Sequence, residues 1–284
     1  MNLISEITRG VFFMHPDIAR QYFPLVHNLL TTPLPQNTNP HQAKSFVSFA
    51  SLTNNNTVSI SHNSPNESQS NRSLCVTDLN GPITKYSGLC HLGCKDILFK
   101  MQEIDSMDNI AGHILRIDSG GGEGYAAQQF GEGIKKLSKP VFAFVEGIAA
   151  SAAYWIAASC QSIAASSRMD AIGSIGTYIT LADYTQYYQK QGINILTVYA
   201  SKSKNKNREF TSAFKGDKKP LQDLVDQFNT FFLDHIMAQR ADFLDLSADW
   251  DSGRMFFADK AYDIGLIDAV TDFDSYAQFI LKTI

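Results

Sequence analysis

Over the larger, C-terminal part of the chain, apolar runs of strand length alternate with segments whose apolar residues recur at helical spacing. Strand-like runs at 74–76, 113–118 and 141–145 are separated by helix-like segments at 92–104 and 125–137. Strands that alternate with helices of about ten to fifteen residues predict β-α-β units in a largely parallel sheet. The pattern therefore favours an α/β fold. The same alternation continues with helix-like runs at 151–159, 184–190 and 221–239 and a strand-like run at 193–199.

The chain divides by composition into three parts. Residues 1–30 are amphipathic and predict a helical segment. Residues 31–72 are rich in Asn, Ser, Thr and Pro, a composition that predicts a polar flexible linker, although the run at 46–49 is compatible with one short strand. The α/β pattern occupies residues 73–284, which we expect to form the folded domain.

Charge and hydropathy exclude several classes of function. The chain has 24 Lys and Arg against 28 Asp and Glu, a net charge of −4. Nucleic-acid binding depends on clustered cations, so nucleic acid is not expected as a partner. No stretch approaches the roughly 20 apolar residues of a membrane-spanning helix, and the first residues lack the small-residue cleavage site of a signal peptide. We therefore expect a protein without a membrane span that is not secreted and acts in the cytoplasm.

The cysteines do not predict a metal site or a disulfide framework. A closed zinc site needs four ligands, and no second Cys/His pair accompanies the one close cysteine pair at a matching distance. We expect buried or incidental thiols and no metal or cofactor. The four cysteines are Cys75, Cys90, Cys94 and Cys160.

One serine follows a predicted strand and begins a predicted helix of small residues. Ser151 lies in the segment Glu146–Trp155, where its hydroxyl would meet the N-terminal end of a helix with the N–H of Ala152 close by. A nucleophile could use this position, because small neighbours let a substrate backbone approach. An N-cap serine occupies the same position. The segment alone leaves both interpretations open.

A glycine-rich turn follows another predicted strand. Asp118 is followed by Ser119, Gly120, Gly121 and Gly122. Such a turn exposes backbone N–H groups that can stabilise an anion, but it also suits any tight connection. It lacks the glycine register of a dinucleotide site and the Gly-Lys-Ser/Thr of a phosphate loop.

A serine nucleophile needs a base, and the sequence offers two kinds. His113 lies in a predicted strand and His235 in a predicted amphipathic helix, positions typical of structural histidines. The basic loop at 201–208 offers lysines, and a desolvated lysine can act as a base near neutral pH. The alternative for this loop is a solvated charged surface.

Five motifs, in the correct order, resemble peptidase family S49, which includes signal peptide peptidase A and phage capsid proteases. The resemblance spans about 73–270 and implies the ClpP/crotonase-like fold of repeated β-β-α units. One motif departs from the family pattern, since Gly120 replaces the usual proline. The matching segments are Val76–Ile83, Arg116–Gly122, Gly147–Ile156, Gly173–Gly176 and Ser252–Asp268.

The resemblance implies a catalytic role for several residues. It makes Ser151 the nucleophile, and it makes the N–H of Ala152 and that of Gly121 or Gly122 the oxyanion hole. Ser174 would hydrogen-bond the base. The base itself falls on Lys204 or Lys206, depending on the loop length, and these two remain alternatives.

The implied function is a serine endopeptidase with a Ser-Lys dyad and no metal or cofactor. The expectation is a soluble phage or prophage protease that matures the head and cuts capsid or scaffold proteins. The alternatives are a signal-peptide-peptidase-like enzyme of protein quality control, and a crotonase-type acyl-CoA enzyme or a non-catalytic relative on the same fold.

Family resemblance and surface pattern also predict a homo-oligomeric ring. The helix at 221–239 carries more apolar surface than one buried stripe needs, so part of it is expected to meet a neighbouring subunit. The alternative is that all these side chains pack into the chain's own core. They are Leu224, Phe228, Phe231, Phe232 and Ile236.

Overall fold

The structure is a computed structural model in which only part of the chain is described. Most of the range 1–30, where composition predicts a helical segment, lies outside the described residues, but Phe12–Met14 form a strand. The described residues are 12–14, 46–53, 55, 57–62, 72–88, 91–181, 183 and 185–284.

Strands and helices alternate as the sequence predicts. The strands are β1 (Phe12–Met14), β2 (Val47–Leu52), β3 (Val58–Ser61), β4 (Ser73–Asn80), β5 (Ile110–Ser119), β6 (Gly121–Glu123), β7 (Val141–Ala150), β8 (Ile163–Ala165), β9 (Ala171–Gly173), β10 (Met255–Phe257) and β11 (Ala269–Val270). The helices are α1 (Cys94–Asp105), α2 (Gly124–Ile134), α3 (Ala152–Ala158), α4 (Thr185–Lys190), α5 (Arg208–Phe214), α6 (Lys219–Arg240), α7 (Ala258–Asp263) and α8 (Phe273–Thr283).

One sheet forms the centre of the fold, and its middle is parallel. Its strand order is β10-β9-β7-β5-β4-β2-β3, with β8 and β11 joined beside β7. Strands β4, β5, β7 and β9 run parallel to one another, whereas β2, β3 and β10 pair antiparallel at the edges. Strand β1 pairs separately with β6. The predicted α/β fold with a largely parallel sheet is confirmed.

Two strands of the sheet come from the range for which composition predicts a linker. Strand β2 pairs with β4 on one side and with β3 on the other, and Val47 and Ala50 are buried. A strand added to an existing sheet needs few apolar residues, because the neighbouring strand supplies half of its hydrogen bonds and most of its cover. A composition averaged over 31–72 does not register so short a strand.

The two faces of the sheet are covered by different helices. Helices α1, α2 and α3 contribute buried side chains to the larger core cluster, together with residues of α6. The opposite face is covered by α8, whose Tyr276 and Ile280 pack with Leu74 and Phe144. Cover on both faces explains why the central strands are continuous apolar runs.

The parallel register brings two strand ends together. Strands β5 and β7 are neighbours, and Ser119 at the end of β5 lies opposite Ala149 at the end of β7. The glycine turn that follows Ser119 and the serine that follows Ala150 therefore leave the same edge of the sheet. Such an edge is where parallel α/β sheets hold their sites.

The strand predicted at 193–199 does not form. This stretch has no regular secondary structure, and all residues from 185 to 202 are exposed. A strand needs a neighbouring strand for its backbone hydrogen bonds, and none of the described strands pairs with it. Its apolar side chains therefore lie in solvent in the single chain.

Helix α6 lies partly in the core and partly on the surface. Phe232 and Ile236 are fully buried, Leu224 and Phe228 are half-buried, and Phe231 is exposed. The helix therefore fills the core and also leaves an apolar side chain in solvent. Among the described residues, no helix has the length and apolar character needed to cross a membrane.

Candidate active site

Ser151 occupies a strained turn between β7 and α3. Its φ of 57° and ψ of −119° are unusual for any residue with a side chain. Neighbouring backbone holds it there, since its N–H donates to the Gly173 carbonyl at 2.8 Å and its own carbonyl accepts the Trp155 N–H at 2.9 Å. Such strain at a strand-to-helix turn is typical of functional sites, because it fixes the direction of one side chain.

The Ser151 hydroxyl does not cap the helix. Ser151 stands at the N-cap position of α3, yet its side chain makes no capping hydrogen bond and none to any other described residue. The residue is 1% exposed. The N-cap interpretation, which the sequence left open, is therefore not realised. The neighbouring N–H of Ala152 has no acceptor within the helix, as expected for the first helical position.

The glycine turn offers one N–H at the edge of β6. Gly121 already donates to Ser119 Oγ at 3.2 Å, and its carbonyl accepts from the Ile83 N–H at 2.9 Å. The Glu123 N–H donates to the Ile83 carbonyl at 2.8 Å. Because successive residues of a strand alternate the sides on which their N–H and C=O lie, Gly122 presents its N–H and C=O to the opposite edge.

Gly122 must be a glycine for steric reasons. A Cβ at this position would lie 2.1 Å from the Ile83 carbonyl oxygen, which is too close for any side chain. The same close approach pairs Ile83 with Gly122 in a parallel bridge. The absence of a side chain therefore keeps the β6 backbone against Ile83 and fixes the direction of the Gly122 N–H.

Two carboxylates hold the loop that leads to Ser151, and sequence reasoning gave neither a role. The Asp170 carboxylate accepts the Gly147 N–H at 3.0 Å and also the N–H groups of Ser166 and Ser167. Asp118 accepts the N–H of Ile148, and partial burial, to which the charge of Asp170 adds, raises the pKa of its carboxyl. The position of Asp118 directly before the glycine turn could have indicated its role. No comparable sequence feature indicates the role of Asp170.

Gly147→Ala is expected to damage both stability and activity. Gly147 has φ +117°, and an added Cβ would lie 2.7 Å from Asp118 Oδ1. We expect a loss of about 1–3 kcal/mol in the free energy of unfolding and at least about a tenfold loss in peptide hydrolysis. Gly216→Ala is the matched control, since Gly216 has φ +95° and nothing within 4 Å. Equal activity losses in the two variants would contradict this role of Gly147.

Ser174 lies next to the turn that carries Ser151. It has φ 52° and is buried, and its N–H donates to the Arg254 carbonyl at 2.6 Å. The preceding Gly173 accepts the Ser151 N–H. The structure thus brings together Ser151, Ala152, Gly122 and Ser174 from three separate stretches of the chain.

The closing motif of the sequence anchors the helix behind Ser151. The Tyr154 hydroxyl donates to the Leu266 carbonyl at 2.7 Å. The Arg240 guanidinium donates to the Gly265 carbonyl and to Asp268 Oδ1, each at 2.8 Å. The Tyr154 bond fixes α3 on its buried side through a residue 112 positions away, and the Arg240 bonds hold the closing motif in place.

The structure does not bring either candidate lysine to Ser151. Lys204 and Lys206 are exposed, and no hydrogen bond or ion pair between described residues joins them to Ser151 or Ser174. They follow the exposed stretch 185–202. Within the described part of the chain, the site therefore has a nucleophile position and backbone donors but no base hydrogen-bonded to the hydroxyl.

The two candidate histidines have structural partners. His113 is fully buried, its Nε2 lies 3.1 Å from Asp105 Oδ1, and burial lowers its pKa. His235 Nε2 lies 3.1 Å from the Trp155 carbonyl oxygen, and its ring stacks on the Trp155 indole with 4.2 Å between centroids. Burial lowers the pKa of His235 to about 4. Neither contacts the Ser151 hydroxyl, which agrees with the structural role expected of both.

The low pKa of His235 predicts a loss of stability in acid. The ordinary pKa is about 6.5, so as the pH falls from about 6.5 to 4 the unfolded state takes up a proton that the folded state does not. This contribution to stability is complete above pH 6.5 and is lost toward pH 4. We expect a loss of about 2 kcal/mol in the free energy of unfolding between pH 7 and pH 4.5 from this residue.

Urea unfolding at the two pH values checks this expectation. His235→Gln should reduce the pH dependence by that amount, whatever its effect at pH 7, because glutamine does not titrate. An unchanged pH dependence in the variant would show that His235 is not the group responsible.

A sequence profile described as peptidase family S49 matches residues 134–281. The chain is 28% identical over 172 residues to a putative protease of Methanocaldococcus jannaschii, covering 60% of this chain and 55% of that protein. It is 28% identical over 202 residues to the chloroplastic serine protease SPPA of Arabidopsis thaliana, covering 69% of this chain and 29% of that protein. It is 24% identical over 213 residues to a putative signal peptide peptidase SppA of Enterococcus faecium, covering 72% and 61%. The chain spans less than two thirds of each of these relatives.

Solved structures with a related arrangement are distant. One is the 1510-N membrane-bound stomatin-specific protease, at 20% identity and a TM-score of 0.43, covering 71% of this chain and 81% of that one. Another is a ClpP1 from Listeria monocytogenes, at 13% identity and a TM-score of 0.43, covering 71% of this chain and 94% of that one.

Proposed function

This chain belongs to peptidase family S49, and from that premise we propose that it is a serine peptidase with Ser151 as its nucleophile. The observation that carries the proposal is the strained turn at Ser151, whose hydroxyl caps no helix and bonds to no described residue. A purely structural serine at positive φ would gain nothing from this conformation, because glycine would adopt it at lower cost.

The backbone donors around Ser151 supply the rest of the chemistry. When the hydroxyl attacks a peptide carbonyl, the N–H groups of Gly122 and Ala152 would hold the oxyanion, each contributing about 3 kcal/mol to transition-state stabilisation. Gly122 is preferred over Gly121 because its N–H faces the β6 edge opposite Ile83, where a peptide can pair, whereas the Gly121 N–H donates to Ser119 Oγ. Water then hydrolyses the acyl-enzyme after the amine has left. No step of this mechanism requires a metal or cofactor.

The base in this proposal is Lys204 or Lys206, supported by Ser174. A neutral amine takes the Ser151 proton and passes it to the leaving amine. A lysine does this only when it is desolvated. Both candidates are exposed in the single chain. The segment around 201–207 therefore has to pack over a Ser151 hydroxyl, either in its own chain or in a neighbouring one.

An exposed apolar arm supports the proposal that the chain assembles into an oligomer. The form that we propose is the ring that the sequence predicts. The arm is the stretch 193–199, and its side chains include Leu196 at 87% and Val198 at 83% exposure. Burying such side chains gives about 25 cal/mol per Å², which favours contact with a second copy. A subunit packed there would also remove water from the adjacent lysines.

Light scattering at micromolar concentration tests the assembly. We expect a mass that is a multiple of 31.5 kDa. Leu196→Glu should lower both this mass and the peptidase activity. Phe231→Glu, on the exposed face of α6, tests whether that helix also takes part. A clean mass near 31.5 kDa for the unaltered chain would refute the oligomer.

The finer proposal concerns the substrate. The motifs resemble those of phage capsid proteases, so we propose that the enzyme cuts capsid or scaffold proteins during maturation of a phage or prophage head, in the host cytoplasm. Curated relatives named SppA make signal-peptide-peptidase activity the alternative. Co-expression with candidate capsid proteins, followed by mass spectrometry, should reveal new termini that are absent with Ser151→Ala. Cleavage of signal peptides alone would favour the alternative.

Active-site labelling tests the peptidase proposal directly. A fluorophosphonate reacts with an activated serine hydroxyl, so the chain should be labelled and Ser151→Ala should not. Ser275→Ala is a matched control, since Ser275 hydrogen-bonds Asp272 at the start of α8, far along the chain from the site. Labelling that persists in a folded Ser151→Ala protein would remove Ser151 from this role.

A further inference from the structure

The strand β1 lies along the backbone edge next to Ser151. It pairs antiparallel with β6, with Phe12 opposite Glu123, Phe13 opposite Gly122, and Met14 opposite Gly121. It also contacts α3, the helix that begins directly after Ser151. A short stretch from the beginning of the chain thus reaches the glycine turn and the helix that the proposed mechanism uses.

The register shows which backbone groups face each other. On β6, the Gly121 carbonyl and the Glu123 N–H are bonded to Ile83, so the N–H and C=O of Gly122 face the β1 side. The residue opposite Gly122 is Phe13. In an antiparallel pair whose groups face each other, both hydrogen bonds are exchanged, so the Gly122 N–H donates to the Phe13 carbonyl.

We infer that residues 12–14 of this chain occupy the β6 edge in the place of an extended peptide substrate. The inference rests on the proposed function, in which the carbonyl to be attacked lies at the Gly122 N–H. The Phe13 carbonyl holds that position, and the Phe13–Met14 peptide bond is the bond presented to Ser151. The ligand class is therefore an extended peptide added to a sheet edge, held by main-chain hydrogen bonds.

The chain's own segment then competes with peptide substrates. A tethered strand acts at an effective concentration that does not fall when the protein is diluted. A free peptide has to displace it before cleavage. The sequence at the paired positions, Phe12, Phe13 and Met14, is wholly apolar, so the site should favour apolar extended peptides over charged ones.

Two proline variants of the full chain separate pairing from other effects. Phe13→Pro removes the N–H that faces the Gly122 carbonyl, whereas Phe12→Pro removes an N–H that faces away from β6. We expect Phe13→Pro to raise the rate of fluorophosphonate labelling at Ser151 by about tenfold, and Phe12→Pro, which keeps both hydrogen bonds to Gly122, to raise it by less than about threefold. A synthetic peptide copying residues 9–18 should slow the labelling of Phe13→Pro. Equal labelling rates in all three chains, or no competition by the peptide, would overturn the inference.

Amide hydrogen exchange gives an answer that does not depend on activity. The Gly122 amide, which faces Phe13, should exchange slowly in the unaltered chain and in Phe12→Pro, and faster in Phe13→Pro. If no chain is labelled, the proposed nucleophile fails, and exchange alone decides whether the strand occupies the edge. Equally fast exchange in the three chains would overturn the occupancy.

Discussion

Ser151→Ala should lower kcat/KM for peptide hydrolysis by at least about 10⁴-fold while leaving the fold intact. The activity falls because the attacking oxygen is removed, and the remaining backbone donors give only residual catalysis. The stability should change by less than about 0.5 kcal/mol, because the hydroxyl makes no hydrogen bond to a described residue and caps no helix. Alanine keeps the side-chain stub, so the strain at φ 57° is the same in both proteins.

Two measurements are needed for the Ser151 variant. Kinetics with an apolar peptide give the loss of activity, and urea unfolding shows that the variant is folded. A variant that is folded and retains turnover would exclude Ser151 as the nucleophile. A variant that is inactive but strongly destabilised would show that the hydroxyl has a structural partner outside the described residues.

Local sequence patterns predicted the elements of the fold well. The strand ending at Ser119 and the strand ending at Ala150 were recognisable because each is a continuous apolar run followed by small residues. The parallel sheet followed from their alternation with helices. Strands β2 and β3 were harder, because their few apolar residues are diluted by the polar stretch around them.

The geometry of the site needed the structure. The sequence could not distinguish a capping serine from a nucleophile at position 151, because both stand at the start of a helix. The structure distinguishes them by the positive φ of Ser151 and by the missing capping hydrogen bond. The role of Asp170 could not be predicted from the sequence for a different reason. Its role depends on a hydrogen bond to Gly147, 23 positions earlier, and that contact exists only when β7 and β9 pair.

The pairing of Phe13 with Gly122 shows the same limit more strongly. Over a hundred residues separate the two strands, and neither carries a sequence signal for pairing. A strand of three residues gives no measurable periodicity. Only the sheet edge left by β6 makes the pairing favourable, because its N–H and C=O groups need partners.

A pair of lysine variants identifies the base. Lys204→Met and Lys206→Met should differ sharply, one losing activity by about 10²- to 10⁴-fold and the other remaining within about twofold of the unaltered chain. Only one amine can lie at the Ser151 hydroxyl, so the dyad predicts a large loss in one variant alone. Methionine keeps the length and apolar stem of lysine and removes the amine.

Lys202→Met is the matched control for these two variants. It lies in the same exposed loop and carries the same charge. Any loss of activity that it shares with the other two variants is therefore due to the loss of positive charge in the loop. Combining the inactive lysine variant with Ser151→Ala should cost no more than Ser151→Ala alone, because nucleophile and base act as one unit. If both single variants keep full activity, the Ser-Lys dyad is wrong. If both lose it equally, the loop acts through its packing over the site, which the masses of the two variants in light scattering would reveal.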